Sequence, residues 1–265
     1  MAPLNAPGVK LSFGGILSQS FRFFFGNFRA FFHLVTIPWI ASLVLRIGSS
    51  LLDESSLAAV LLGKAIDVVP TIMFMVARMR LVLLGPNQVG RLPGTGWSAR
   101  ETAFLVHFLK IGGITFLLLA AFALTIGEIE PAMLGGGAPL DPEMARREAI
   151  AAPFGAGFMV SALLALRVSF GLAATAVDLP FAPRQSWVLS RGNGWTIMGV
   201  LFVIFIAGAV ATMASALVSL NIMRAIGAGS ATAIVVWTVA VLVSYAGAAI
   251  AATAQALIFR ALTKP

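Results

Sequence analysis

The chain has 265 residues, of which 59% are hydrophobic and 11% charged, with a mean hydropathy of +0.97 and a net charge of +8. A soluble domain carries about 25% charged residues, so ten acids and eighteen bases cannot clothe a water-exposed globule of this size, and soluble enzyme classes fit poorly. The absence of Cys excludes a disulfide framework, a thiolate nucleophile and a cysteine metal cluster, and bases spread along the chain without an arm or stripe argue against nucleic acid as a partner.

The first ten residues carry one charge, three helix breakers (Pro3, Pro7, Gly8) and no apolar core, so no cleavable leader is expected. From 12 to 29 the pattern predicts an amphipathic helix in the headgroup plane. Phe13, Leu17, Phe21, Phe24 and Phe28 recur on one face, opposite Gln19, Arg22, Gly26 and Arg29. A cap packed on the bundle would show the same pattern.

Apolar runs of membrane-spanning length then follow at about 31–52, 57–79, 104–126, 151–176, 196–220 and 230–258. The expected fold is therefore all-α: one polytopic membrane domain over 1–265 with about six spans. With the N-terminus inside, thirteen of the eighteen bases face the cytoplasm and eight of the ten acids face the other side. The positive-inside rule accordingly predicts two cytoplasmic termini.

Ionisable groups inside spans are costly and mark pairs or pathways. Lys64 and Asp67 lie three apart on span two, and Arg46 sits near the outer end of span one, so the three form a candidate intramembrane ion pair. Asp67 reads first as the counter-ion that holds this hairpin together. The sharper alternative is a proton- or cation-responsive carboxylate in a transport path. His33 and His107 lie among apolar residues without metal-ligand spacing, and read as packing groups. The loop 127–149 is acidic, with Glu128, Glu130, Asp141, Glu143 and Glu148, and reads as a solvated external loop rather than a cation site.

The segment 180–195 forms a second interfacial element. Pro180 and Pro183 end span four, and Gly192 or Asn193 can supply a left-handed cap. Trp97, Trp187 and Trp195 suit interface anchors. Arg167, Arg184 and Arg191 are candidate contacts to lipid headgroups, against the plainer reading of snorkelling and topology-setting charges. Gln19-Ser20-Phe21 with Gly26-Asn27 matches Gln185-Ser186-Trp187 with Gly192-Asn193 position for position, which predicts a parallel internal repeat of helical hairpins. Small-residue stripes, such as Ala207, Ala211, Ser215 and Ser219, predict close helix packing.

The run Leu166-Arg167-Val168-Ser169-Phe170 to Asp178-Leu179-Pro180, then Gln185-Ser186-Trp187 and Ser190-Arg191-Gly192-Asn193-Gly194-Trp195, resembles the glycerophosphoryl diester phosphodiesterase membrane-domain family and related bacterial six-span proteins. The resemblance implies an integral domain of a bacterial inner membrane. The catalytic barrel that some members of that family carry has no counterpart among these residues, so the family name does not transfer as an activity. The functional expectation is a non-enzymatic scaffold or accessory subunit without cofactors, whose partners are membrane lipids and a second protein or further copies of itself. A small transporter or lipid-handling protein for an anionic or lipid-like substrate is the alternative.

Overall fold

A computed structural model of the chain describes residues 9–49, 57–89, 96–127, 164–180, 183–226 and 230–263. Every regular element among them is helical. Helix α1 (Phe13–Gly26) starts at Ser12, whose hydroxyl accepts from the Gly15 amide at 3.2 Å. It stops at Asn27. The Asn27 amide and side chain turn back onto Phe23 O, while its carbonyl accepts from Phe31 N at 3.0 Å and so opens α2 (Phe28–Ser49). One residue therefore ends one helix and begins the next.

Helix α3 (Leu57–Leu84) returns alongside α2, and both carry an internal proline, Pro38 and Pro70. Helix α4 (Ala99–Gly127) opens with a capping box: the Glu101 carboxylate accepts from the Ser98 amide at 2.8 Å and from its hydroxyl. Residues 164–168 are helical and lead through a turn at Ser169 into α5 (Phe170–Ala176). Helix α5 closes with Leu179 N bonded to Ala174 O and Asp178 N to Thr175 O. This is a Schellman ending, with Asp178 in the left-handed position (φ 61) that glycine usually takes. Short α6 (Pro183–Leu189) follows, then a turn at Gly192 (φ +82), α7 (Gly194–Ile226) and α8 (Ser230–Thr263).

Helix α8 is the hub: α1, α2, α3, α5 and α7 all pack on it. It is lined by small side chains. Ala249, Ala252, Ala254 and Ala256 are fully buried, so neighbouring backbones come close enough for dispersion contacts to hold them. At the crossing with α7, a Cβ on Gly247 would lie 3.9 Å from Gly208 Cα.

Among the described residues, four helices are long and apolar enough to cross a membrane: Phe28–Gly48, Ala99–Leu118, Gly194–Ala225 and Ile234–Thr263. Helix α3 has 28 residues, about 42 Å at 1.5 Å per residue, but is not among those four. The expected span 151–176 enters the described residues only at Leu164, and the acidic loop 127–149 lies outside them beyond Gly127. The two matched segments end alike, since Asn193 O accepts from Ile197 N as Asn27 O does from Phe31 N. They begin differently, in a helix of 14 residues and one of seven.

Two details add to the sequence expectation. Helix α1 buries Ile16, Ser20 and Phe24 inside the bundle, while Phe13 and Phe28 of its expected apolar face are exposed. A groove between helices accepts a narrow i, i+4 row, not the broad stripe that suits a flat surface. Helix α7 buries Ile197, Val200, Leu201 and Ile204 in the core, and of its small-residue stripe Ser219 is buried and Ser215 half-buried while Ala207 and Ala211 are exposed. Neighbouring Gly208 supplies the close approach in their place.

Candidate functional site

Cations gather at the end of the bundle where α1, the close of α3 and the opening of α4 and α7 meet. Arg78 and Arg80 stand two residues apart on α3, a rotation of about 200°, so they face different surroundings. Arg80 turns outward. Its Nη1 donates to Ala176 O and to Asp178 Oδ2, both at 3.0 Å, and its Nε to Gln88 O at 3.3 Å. Arg100 of α4 donates through Nε to Asp178 Oδ1 at 2.7 Å. The hydrogen bond from Arg100, reinforced by Arg80, holds the Asp178 carboxyl below the usual carboxylate range. One ionised side chain thus joins α3, α4 and the turn after α5.

Arg78 turns inward and is fully buried. Its Nε donates to Thr253 Oγ1 of α8 at 3.1 Å, and Thr253 passes its own proton to Ala249 O at 2.7 Å. The guanidinium carbon lies 5.0 Å from the Phe23 ring centre and 5.9 Å from that of Phe24, both on α1. Nη1 and Nη2 are buried without an acceptor among the described residues. Each orphaned polar group of this kind costs about 1–3 kcal/mol. Sequence reasoning counted Arg78 only among the topology-setting charges. The available signal was Phe74 one helical turn earlier, because a cation that follows a core aromatic by four residues shares its inward face.

Arg167 is the third fixed cation. Its guanidinium lies 4.5 Å over the Trp187 ring, and its other side rests on Gly194, where an added Cβ would come within 2.5 Å of Nη2. Helix α6, which carries Trp187, is folded back by Ser186, which donates to Val168 O at 3.2 Å. Asn193 then clamps the segment before α1, accepting from Leu11 N at 2.9 Å and donating to Val9 O at 2.8 Å. Arg184 and Arg191 are exposed on α6 and the turn after it. Trp97, Trp187 and Trp195 are exposed at the same end, Trp195 most of all.

The expected trio of Arg46, Lys64 and Asp67 lies farther along the bundle. Asp67 is half-buried, and its Oδ1 has no donor among the described residues. Arg46 is half-buried on α2, while the Lys64 side chain lies outside the described residues. Nearby, Ser42 of α2 and Tyr245 of α8 share a hydrogen bond of 2.8 Å, and the Tyr245 hydroxyl also reaches Pro38 O. His107 packs on Gly171, where a Cβ would lie 3.3 Å from its ring. Among the described residues no three His, Asp or Glu side chains come together as a metal site. The chain matches no family model, no curated protein and no solved structure.

Proposed function

We propose that the protein is a non-enzymatic membrane scaffold or accessory subunit that holds a partner protein through α4. One observation carries this reading. Helix α4 packs on the bundle through Glu101, Phe104, Leu105, His107 and Ile111, and its remaining side chains from Val106 to Leu117 are exposed or half-exposed. On that uncovered side, Lys110 stands exposed near Gly112 and Gly113, around which a Cβ would meet nothing within 4 Å. Lipid alone gives no reason for an exposed ammonium or for a notch of two glycines. A partner helix with a carboxylate answers both, since small residues admit a close backbone and a membrane cation seeks a counter-charge.

The proposal includes the six-span arrangement with both termini in the cytoplasm, in a bacterial inner membrane, as the charge asymmetry and the family resemblance imply. It also keeps the parallel repeat, supported by the common role of Asn27 and Asn193.

A specific observation favours a second reading, the handling of an anionic lipid. Arg167 is pinned between Trp187 and Gly194 next to the exposed Arg184 and Arg191, as a headgroup contact would require. Native mass spectrometry after gentle extraction separates the two. A stoichiometric partner protein that is lost in Gly112→Leu supports the first reading. A chain released alone with bound anionic lipid, which Arg167→Gln abolishes, supports the second and overturns the first.

A further inference from the structure

Arg78 is the one described cation that is both fully buried and left with unpaired donors. A guanidinium keeps its charge in proteins and presents its two terminal nitrogens as a flat fork that matches two oxygens of one oxyanion. Here Thr253 Oγ1 accepts from Nε, the Phe23 and Phe24 faces cover the plane, and the fork has no acceptor among the described residues. Aromatic faces offset a positive charge but accept no hydrogen bond of comparable direction or strength. Among the described residues no carboxylate pairs with it: of the acids at this end, Asp178 is taken up by Arg80 and Arg100, and Glu101 by Ser98.

We propose that Arg78 is an oxyanion-binding residue, and that its fork takes the phosphate of an anionic lipid headgroup or of a free phosphate, admitted by a shift of α1. The depth is suitable. Arg78 lies less than two helical turns from the end of α3, at the end of the bundle where Trp97, Trp187 and Trp195 are exposed in the manner of interface rings. The covering element is separable as well. Phe23 and Phe24 belong to a helix joined to α2 through the single residue Asn27, and anchored at its other end by the two Asn193 bonds to Val9 and Leu11. A rotation of α1 about Asn27 uncovers the fork without disturbing the packing of α3 on α8. This site is independent of the α4 partner face and distinct from Arg167.

The test uses the full chain in phosphatidylcholine vesicles with and without phosphatidylglycerol, and native mass spectrometry to count retained lipid. Wild type is expected to retain phosphatidylglycerol in preference to phosphatidylcholine, and Arg78→Gln to retain it at least about tenfold less strongly. Arg78→Lys, which keeps the charge and loses the fork, should fall in between. Added inorganic phosphate distinguishes the sources: displacement of the lipid identifies free phosphate as a ligand, and its failure assigns the headgroup. If Arg78→Gln does not fold, Arg78→Lys decides, because retention equal to wild type means that the fork does not bind. Wild type without preference for phosphatidylglycerol and without phosphate binding overturns the proposal. So does loss of the lipid in Arg167→Gln with full retention in Arg78→Gln, which would place the site at Arg167.

Discussion

Helices α4 and α8 are both apolar enough and long enough to cross a membrane, yet among the described residues α8 packs on α1, α2, α3, α5 and α7, while α4 leans on α3 and α5 alone. The difference lies in side-chain size, because lipid tails already satisfy an apolar surface and only close contact rewards a second helix. Ala249, Ala252 and Ala256 give α8 a smooth face along which backbones approach, and Tyr245 and Thr253 add hydrogen-bonding points. Helix α4 instead carries Phe108, Leu109, Phe116 and Leu117 outward, and its small pair, Gly112 and Gly113, faces open space.

Substitutions of opposite kind sharpen that contrast. Ala252→Leu inserts three carbons into a fully buried site and should destabilise by about 1–3 kcal/mol, read as a lowered thermal midpoint in detergent. Phe116→Ala removes a ring that is 70% exposed and should stay within about 0.5 kcal/mol. Equal effects would mean that α4 is held as tightly as α8, and the comparison would collapse.

The α1 end offers a finer contrast between anchors. Asn193→Ala removes both side-chain bonds to the segment before α1 and should cost about 1–2 kcal/mol, much of it local. Hydrogen exchange at Leu11 is the direct readout, and unchanged protection there would show that α1 packing alone fixes the segment. Gly194→Ala is expected to do less, about 1 kcal/mol at most, because the clashing atoms belong to the flexible end of Arg167. Its signature is a change in Trp187 fluorescence as the guanidinium leaves the ring.

Much of the helical layout was legible in the sequence, because long apolar runs and the breakers between them fix where helices lie. The turn at Gly192 was legible because glycine takes the left-handed backbone that closes α6. What a periodicity cannot convey is which neighbour a face meets. The buried row of α1 runs through Ile16, Ser20 and Phe24 because it fits against α8 and α7, and no property of residues 13–26 alone states that. Arg78 was opaque for a related reason. Its chemistry is identical to that of Arg80, and only the rotation of α3 against α8 sends one inward to Thr253 and the other outward to Asp178.

That second arginine gives a small expected effect with a defined dependence on pH. Asp178 titrates lower in the folded chain than when unfolded, chiefly because Arg100 and Arg80 bond its ionised form. The unfolded state therefore binds the proton more readily. The stabilisation is fully present above the unfolded value, about 3.9 for an aspartate, and is lost as pH falls through that value towards the folded one. With the side chain 54% exposed, solvent screening limits the contribution to less than about 1 kcal/mol. Asp178→Asn should lower the thermal midpoint slightly at neutral pH and leave it unchanged at pH values below the folded titration. A variant that lost as much stability in acid as at neutrality would show that Asp178 acts through its left-handed backbone position and not through its charge.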